Sequence, residues 1–242
     1  MTNLAIECSG TAGSVALFQC ETPIAYAPLD ASFSSVRTLA SEIERITRGR
    51  AKPSLISITN GPGSFTGLRV GLTTAKMLGL AWNIPIVPVD TLQAIALRAH
   101  QADPQSQAAV TVLAVINAFR GQVFVTAVQF IEWGKPTVLV PSCAVDAALW
   151  RVDPQTALGG RVNAERFLVS GPGLKNYPLC DESVAGVSYK IASPEVWNPT
   201  AVEVARLGQL GFEAGRAQNA FILEPNYIRA SAAEDKVKSP RS

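Results

Sequence analysis

The sequence predicts an α/β protein of two similar halves, each a mixed sheet flanked by helices. Three observations lead there. Before residue 103 the hydrophobic periods run β-β-β-α-β-α-β-α, a second apolar hairpin opens at Thr111, and a strand enters Gly-Pro-Gly twice, in SITNGPG (57–63) and LVSGPG (168–173). A meander followed by alternating strands and helices requires helices on both sheet faces, because parallel strands are joined only by crossovers.

The elements follow in order. LAIECS (4–9) and SVALF (14–18) read as two strands joined by a tight glycine-bounded turn, and residues 24–27 extend them into a third. Val36, Leu39, Ala40, Ile43 and Ile46 then recur at three and four residues, the mark of an amphipathic helix over 34–48. LISIT (55–59) reads as a buried strand, residues 66–82 as a helix, IVPV (86–89) as another strand, and Asp90 or Thr91 starts the next helix. QADPQSQAA (101–109) is polar and contains Pro104, which sets a boundary between halves at 1–103 and 104–199. Thr111 to Phe130 reads strand, turn, strand, and residues 200–216 form a last helix, with Val202, Ala205, Leu207, Leu210 and Phe212 as its apolar material. That helix is a candidate to pack back on the first half. Residues 230–242 read as a flexible basic tail.

With 48% hydrophobic and 17% charged residues the chain has material for a packed core and is too apolar for intrinsic disorder. Its 21 basic and 19 acidic residues are spread along the sequence, which argues against a large nucleic-acid-binding face. The opening MTNLAIECSG lacks the pattern of a signal peptide and no segment is apolar enough to span a membrane, so a cytoplasmic protein without membrane contact is expected. Cys8, Cys20, Cys143 and Cys180 show no C-x-x-C spacing and read as buried or incidental thiols.

Gly61, Pro62, Gly63 and Gly67 crowd a strand-to-helix corner where a phosphate cradle would sit. The spacing matches neither the G-x-x-x-x-G-K-[ST] loop nor G-x-G-x-x-G. The favoured reading is structural: Gly61 and Gly63 shape the corner and Ser64 or Thr66 caps the helix. The helix behind it is unusual. Gly67, Gly71, Ala75 and Gly79 form a stripe of small side chains, other positions are mostly apolar, and only Arg69, Thr73 and Lys76 make a polar seam. Such a stripe allows close packing on the chain's own sheet, while the narrow seam leaves another face for a partner; the two readings are compatible.

Catalytic equipment is sparse. His100 is the only histidine, a helix-end or surface residue without an H-x-x-x-H partner, which excludes a metal held by paired histidines and leaves a serine nucleophile without its usual base. Glu7 ends the first strand, where actin-like and sugar-kinase folds carry an aspartate that orients a magnesium-bound phosphate.

GPGSFTGLRVG, the A-K-x-L-G-L-A after it and IPIVPVDTLQAIA together resemble the TsaB (YeaZ) family. LAIECS…SVALF resembles the family's opening hairpin, INAFRGQVFV its D-A-R-x-x-E-V-Y segment, and EPNYIR its terminal P-x-Y-x-R. The resemblance implies an actin-like ATPase-domain (ASKHA) fold of two ribonuclease-H-like subdomains. It implies a non-catalytic dimerisation subunit, with no catalytic residue and no metal, of the complex that transfers threonylcarbamoyl from threonylcarbamoyl-AMP to N6 of the adenosine next to the tRNA anticodon.

The implied partners are a TsaD-like catalytic subunit, a TsaE-like ATPase, tRNA through the complex, and a weak homodimer through the same helices. No cofactor is required by this subunit, with ATP and magnesium at the assembled complex. Pairing would run through the two helices of the first half, with Val36, Leu39 and Ile43 on one and Gly67, Arg69, Gly71, Ala75 and Gly79 on the other; Gly71→Leu would then abolish pairing and leave a folded monomer. A vestigial nucleotide site would use Glu7, Ser9, Gly61, Gly63, Gly171 and Gly173. The chain departs from the family with Glu7-Cys8-Ser9 for Asp-Thr-Ser/Thr, no histidine in ASFSSV, and Asn117 and Gln122 where acids are usual. The alternative function is an ATP- and magnesium-dependent kinase or hydrolase of the same superfamily.

Overall fold

The computed structural model describes residues 1–29, 35–104, 109–132, 135–162 and 164–228. β1 (Thr2–Glu7), β2 (Ser14–Gln19) and β3 (Thr22–Pro28) form an antiparallel meander, and β4 (Leu55–Gly61) and β5 (Ile86–Asp90) add to it in parallel, giving the order β3-β2-β1-β4-β5. The second sheet repeats this plan with β6 (Val110–Phe119), β7 (Gln122–Glu132), β8 (Lys135–Asp146), β9 (Arg166–Ser170) and β11 (Val187–Ile191), plus the short edge strand β10 (Ser183–Val184). Its order is β10-β11-β9-β6-β7-β8, so β6 holds the central position that β1 holds in the first. The two hairpins and two Gly-Pro-Gly corners read from the sequence occupy equivalent places.

Five layers result. α1 (Ser35–Thr47) and α2 (Phe65–Trp82) cover the outer face of the first sheet, and α4 (Ala147–Val152) and α5 (Pro154–Ala157) that of the second. Between the sheets lie α3 (Thr91–Ala102) and α6 (Ala201–Glu213), sharing one apolar cluster with Ala5, Ala16, Val112, Val128 and Phe130. α3 leaves the first sheet to pack chiefly on β6, β7 and β9, whereas α6 returns to β1, β4 and β5, as its sequence allowed. Each half therefore contributes a helix to the other's core.

The seat of α6 is tight and polar. Its N-terminus is closed by a capping box of Thr200 and Glu203. Asn3 donates to the Ala205 carbonyl at 3.1 Å and accepts from Ser57 Oγ at 2.9 Å, so these buried polar groups satisfy one another. On α3, Asp90 is the N-cap, accepting from the amides of Leu92 and Gln93. His100 sits at the helix end but is buried, a correction to the surface alternative. Its ring lies parallel to Phe130 with centroids 4.3 Å apart, both nitrogens lack a partner among the described residues, and burial lowers its pKa.

α2 begins at the Ser64 N-cap and ends at Asn83, whose left-handed backbone (φ 53°) closes the last turn. Its small-residue stripe faces the sheet. A Cβ on Gly67 would collide with the Cys8 carbonyl oxygen; one on Gly71 would lie 3.2 Å from both Cys8 Cβ and Ile58 Cδ1; one on Gly79 would meet Ile86 at 2.8 Å. Close approach offsets the roughly 1 kcal/mol that each helical glycine costs relative to alanine. At the far end, Arg50 donates to the Ile46 carbonyl at 3.0 Å and Lys52 to that of Trp82 at 2.8 Å, so a cation closes the C-terminus of each outer helix.

This packing predicts the behaviour of Gly67→Ala. Helix propensity alone would favour alanine by about 1 kcal/mol, yet the added methyl must displace the end of β1, and overpacking costs about 1–3 kcal/mol. The variant should unfold at lower urea concentration with an unchanged m-value; an equal or higher midpoint would show that α2 has slack.

Candidate functional site: the interdomain cleft and the outer face of α2

A cleft of about 850 Å³ opens between the halves. Its walls are Ser9, Gly10 and Thr11 of the β1–β2 turn, Pro62 to Phe65 of the first corner, Asn117 and Phe119 of the β6–β7 hairpin, and Lys175, Trp197 and Tyr227. The corner is fixed to β1: the Ser64 amide donates to the Ser9 carbonyl at 2.7 Å, Gly63 lies against the Ser9 backbone, and Ser64 Oγ accepts from the Gly67 amide at 3.3 Å. Of the six residues expected for a nucleotide, Ser9 and Gly63 line the cleft. Gly61 instead lies beneath Asn226, and Gly171 and Gly173 press on the backbone of Val115 and Ile116. These glycines are spent on packing.

Glu7 is sealed. One carboxyl oxygen accepts from the Ser9 amide at 2.6 Å and from the Ser9 hydroxyl, and the other has no partner among the described residues. Burial drives its pKa up to about 7; the bonds from Ser9 oppose the rise and nearby Glu203 adds to it. Asn117 is equally committed, its Oδ1 accepting from the Phe119 amide at 2.7 Å to hold a turn in which Phe119 (φ 59°) and Arg120 (φ 53°) are left-handed. Magnesium wants oxygen ligands, usually carboxylates, and among the described residues no carboxylate lines the cleft. The residues present do not fit a magnesium nucleotide, and no cluster of metal-binding side chains occurs among the described residues.

The second feature is the outer face of α2. Phe65 (48% exposed), Met77 (63%) and Leu80 (48%) stand in solvent along the seam of Arg69, Thr73 and Lys76. At the cleft end, the Arg69 guanidinium lies 3.9 Å over the Phe65 ring and donates to Tyr227 Oη at 3.4 Å, and Phe65 stacks on Tyr227 at 6.0 Å. This cluster joins the cleft wall to the helix face.

The expected pairing residues must be corrected. Leu39, Ile43, Gly67, Gly71, Ala75 and Gly79 are buried beneath the outer layer, against the chain's own sheet, and cannot touch a partner. Arg69 is exposed; the side chain of Val36 lies outside the described residues. The physical reason is that an amphipathic apolar stripe faces the nearest core, and small residues mark where a helix lies closest to its own sheet. Gly71→Leu would therefore unfold the domain rather than free a monomer. The signal for the true outer face was present as Phe65, Met77 and Leu80, apolar residues opposite a helix side already packed.

The two repeated sheets, exchanged helices and interdomain cleft define a protein of the actin-like ATPase-domain class. A ROK hexokinase from Thermus thermophilus matches the fold with TM-score 0.50 at 13% identity, over 89% of this chain and 100% of that one. YeaZ from Pseudomonas aeruginosa matches with TM-score 0.74 at 20% identity, over 94% and 100%. The sequence profile for TsaD, tRNA N6-adenosine threonylcarbamoyltransferase, matches residues 34–236. The tRNA threonylcarbamoyladenosine biosynthesis protein TsaB of Escherichia coli is 33% identical over 98% of both chains, and that of Bacillus subtilis 29% identical over 98% of this chain and 97% of its own. The chain belongs to the TsaB family and is involved in tRNA threonylcarbamoyladenosine biosynthesis. No helix among the described residues is long and apolar enough to cross a membrane.

The buried Glu7 has a pH consequence. Its folded pKa of about 7 lies above the ordinary 4.5, so the folded state holds the proton more tightly; its stabilising contribution is complete below about 4.5 and lost as pH rises through 7. That change corresponds to roughly 3 kcal/mol. Glu7→Gln should remove this loss, so the stability difference between variant and wild type, from urea unfolding at several pH values between about 5 and 8, should move in the variant's favour as pH rises. His100 titrates in both proteins and cancels. A difference independent of pH would contradict a sealed carboxyl.

Proposed function

We propose that this chain is the non-catalytic dimerisation subunit of the complex that transfers threonylcarbamoyl from threonylcarbamoyl-AMP to N6 of the adenosine next to the tRNA anticodon. The observation that carries the reading is the outer face of α2, where Phe65, Met77 and Leu80 remain in water although the opposite side of the helix is fully packed. Aromatic and methionine side chains are enriched in protein–protein interfaces relative to the rest of the surface. The partner is a TsaD-like catalytic subunit; a TsaE-like ATPase and tRNA join the pair. The cleft supports the same reading from the other side, since no carboxylate among the described residues lines it, Glu7 is sealed behind its bonds from Ser9, and Asn117 is consumed by its own turn. ATP and magnesium used by the assembled complex bind away from this cleft.

Met77→Glu combined with Leu80→Glu tests the reading. Both side chains are exposed, so the melting temperature should hold while pairing with the catalytic relative weakens, by analogy with hot-spot losses of about 2 kcal/mol or more, at least about thirtyfold. tRNA modification reconstituted from purified components should fall in parallel. Undiminished pairing and modification would contradict the assignment.

A further inference from the structure

A second, smaller pocket of about 290 Å³ opens where the start of α3, the residues after α6 and β8 of the other half meet. Its size is at the lower end of ligand sites. Its polar lining is Asn60, Asp90, Gln93, Arg216 and Asn226. Backbone bonds fix these walls. Past the end of α6, Gly215 is left-handed (φ 71°), and the amides of Gly215 and Arg216 return to the carbonyls of Phe212 at 3.0 Å and Gly211 at 2.8 Å, a Schellman closure. This turn lays Arg216 back on the helix: a Cβ on Gly211 would lie 3.6 Å from its Nε and Nη2. Asn226 is held by its amide on the Asn60 carbonyl at 2.7 Å, and Asp90 ties the start of α3 to β8 by accepting from Ser142 Oγ at 2.7 Å.

The groups so placed differ in what they have left to offer. Asp90 is already used, since Oδ1 accepts from the Leu92 and Gln93 amides and Oδ2 from Ser142, and burial raises its pKa. Arg216 and the side-chain amides of Asn60, Gln93 and Asn226 have no hydrogen-bond or ion-pair partner among the described residues. An unpaired guanidinium among three amides is a donor-rich site with one unspent positive charge.

We propose that this pocket binds a small oxyanion-bearing ligand, its carboxylate or phosphoryl group on the Arg216 fork and its remaining polar atoms on Asn60, Gln93 and Asn226. The inference is independent of the outer face of α2. A guanidinium meets either group with two parallel hydrogen bonds, a geometry that an ammonium does not offer. The side-chain amides both donate and accept, so they suit a ligand with a hydroxyl or second oxygen beside the anionic group. Because the walls come from both halves, the bound ligand braces β8 against the first half, and binding to the folded state alone raises its melting temperature.

The experiment titrates the full chain with L-lactate, acetate and inorganic phosphate at constant ionic strength, reading melting temperature and calorimetric heat. Expected is saturable binding of lactate or phosphate, with acetate weaker because it has no second polar group for the amides. Whichever of lactate and phosphate binds more tightly names the anionic group, and either order bears the proposal out. Arg216→Lys keeps the charge and loses the fork, so it should weaken binding at least about tenfold. Gln93→Leu should weaken it severalfold while the α3 cap, made by the Gln93 backbone amide, stays in place. Arg206→Ala, which removes an exposed cation of α6 outside the pocket, should bind as wild type does. Ligand-free melting temperatures report folding, and if Arg216→Lys melts lower, Gln93→Leu carries the test. No saturation by any probe up to about 50 mM, unchanged affinity in folded Arg216→Lys and Gln93→Leu, or an equal loss in Arg206→Ala would overturn the proposal.

Discussion

The backbone of α2 rests on the end of β1, with Gly67 against the Cys8 carbonyl and Gly71 against the Cys8 side chain and Ile58. From that contact the site geometry follows. It holds the strand-to-helix corner over Ser9, forms one wall of the cleft, and turns Phe65, Arg69, Thr73, Lys76, Met77 and Leu80 outward together. A helix seated by larger side chains would stand farther from the sheet. Glycine loses helix propensity here, and the sheet recovers it as contact.

The interior is organised by exchange. α3 and α6 lie between the sheets and each packs mainly on the half opposite the one it directly follows, which ties two structurally similar units into one body. The cleft on the edge of this joint is lined by residues of both halves and by no carboxylate among the described residues. Glu7 is buried behind its bonds from Ser9, the Asn117 side chain holds the β6–β7 turn, and Gly171 and Gly173 fit against β6. The Arg69–Phe65–Tyr227 cluster, shared between cleft and helix, places those two regions in direct physical contact.

Much of this was legible in the sequence because period and punctuation agree in the first half. β1 to β5 and α1 to α3 fall within a few residues of their expected limits, since each is bounded by glycine, proline or a capping residue. The final helix was equally clear, its Thr200–Glu203 capping box marking the start. The second half was harder between Pro141 and Phe167, where α4 and α5 are too short for a 3.6-residue period to show. Fold repetition was visible through two hairpins and two Gly-Pro-Gly corners. The direction of the α2 stripe was not, because a glycine row means close approach without saying to what. Gly67 meets Cys8 and Gly79 meets Ile86, contacts between distant parts of the chain that spacing alone cannot reveal. The burial of His100 escaped for the same reason, since Phe130 comes from the other half.

The central claim is that one side of α2 belongs to the sheet and the opposite side to a partner. Oxidative footprinting of Met77, one of two methionines in the chain, tests it directly. Met77 is 63% exposed in the free protein, and its oxidation to sulfoxide, read by mass spectrometry, should slow markedly when the TsaD-like relative is added, with Met1 as the internal reference. Equal oxidation of Met77 in the free chain and in a demonstrated complex would place the partner elsewhere and contradict the account.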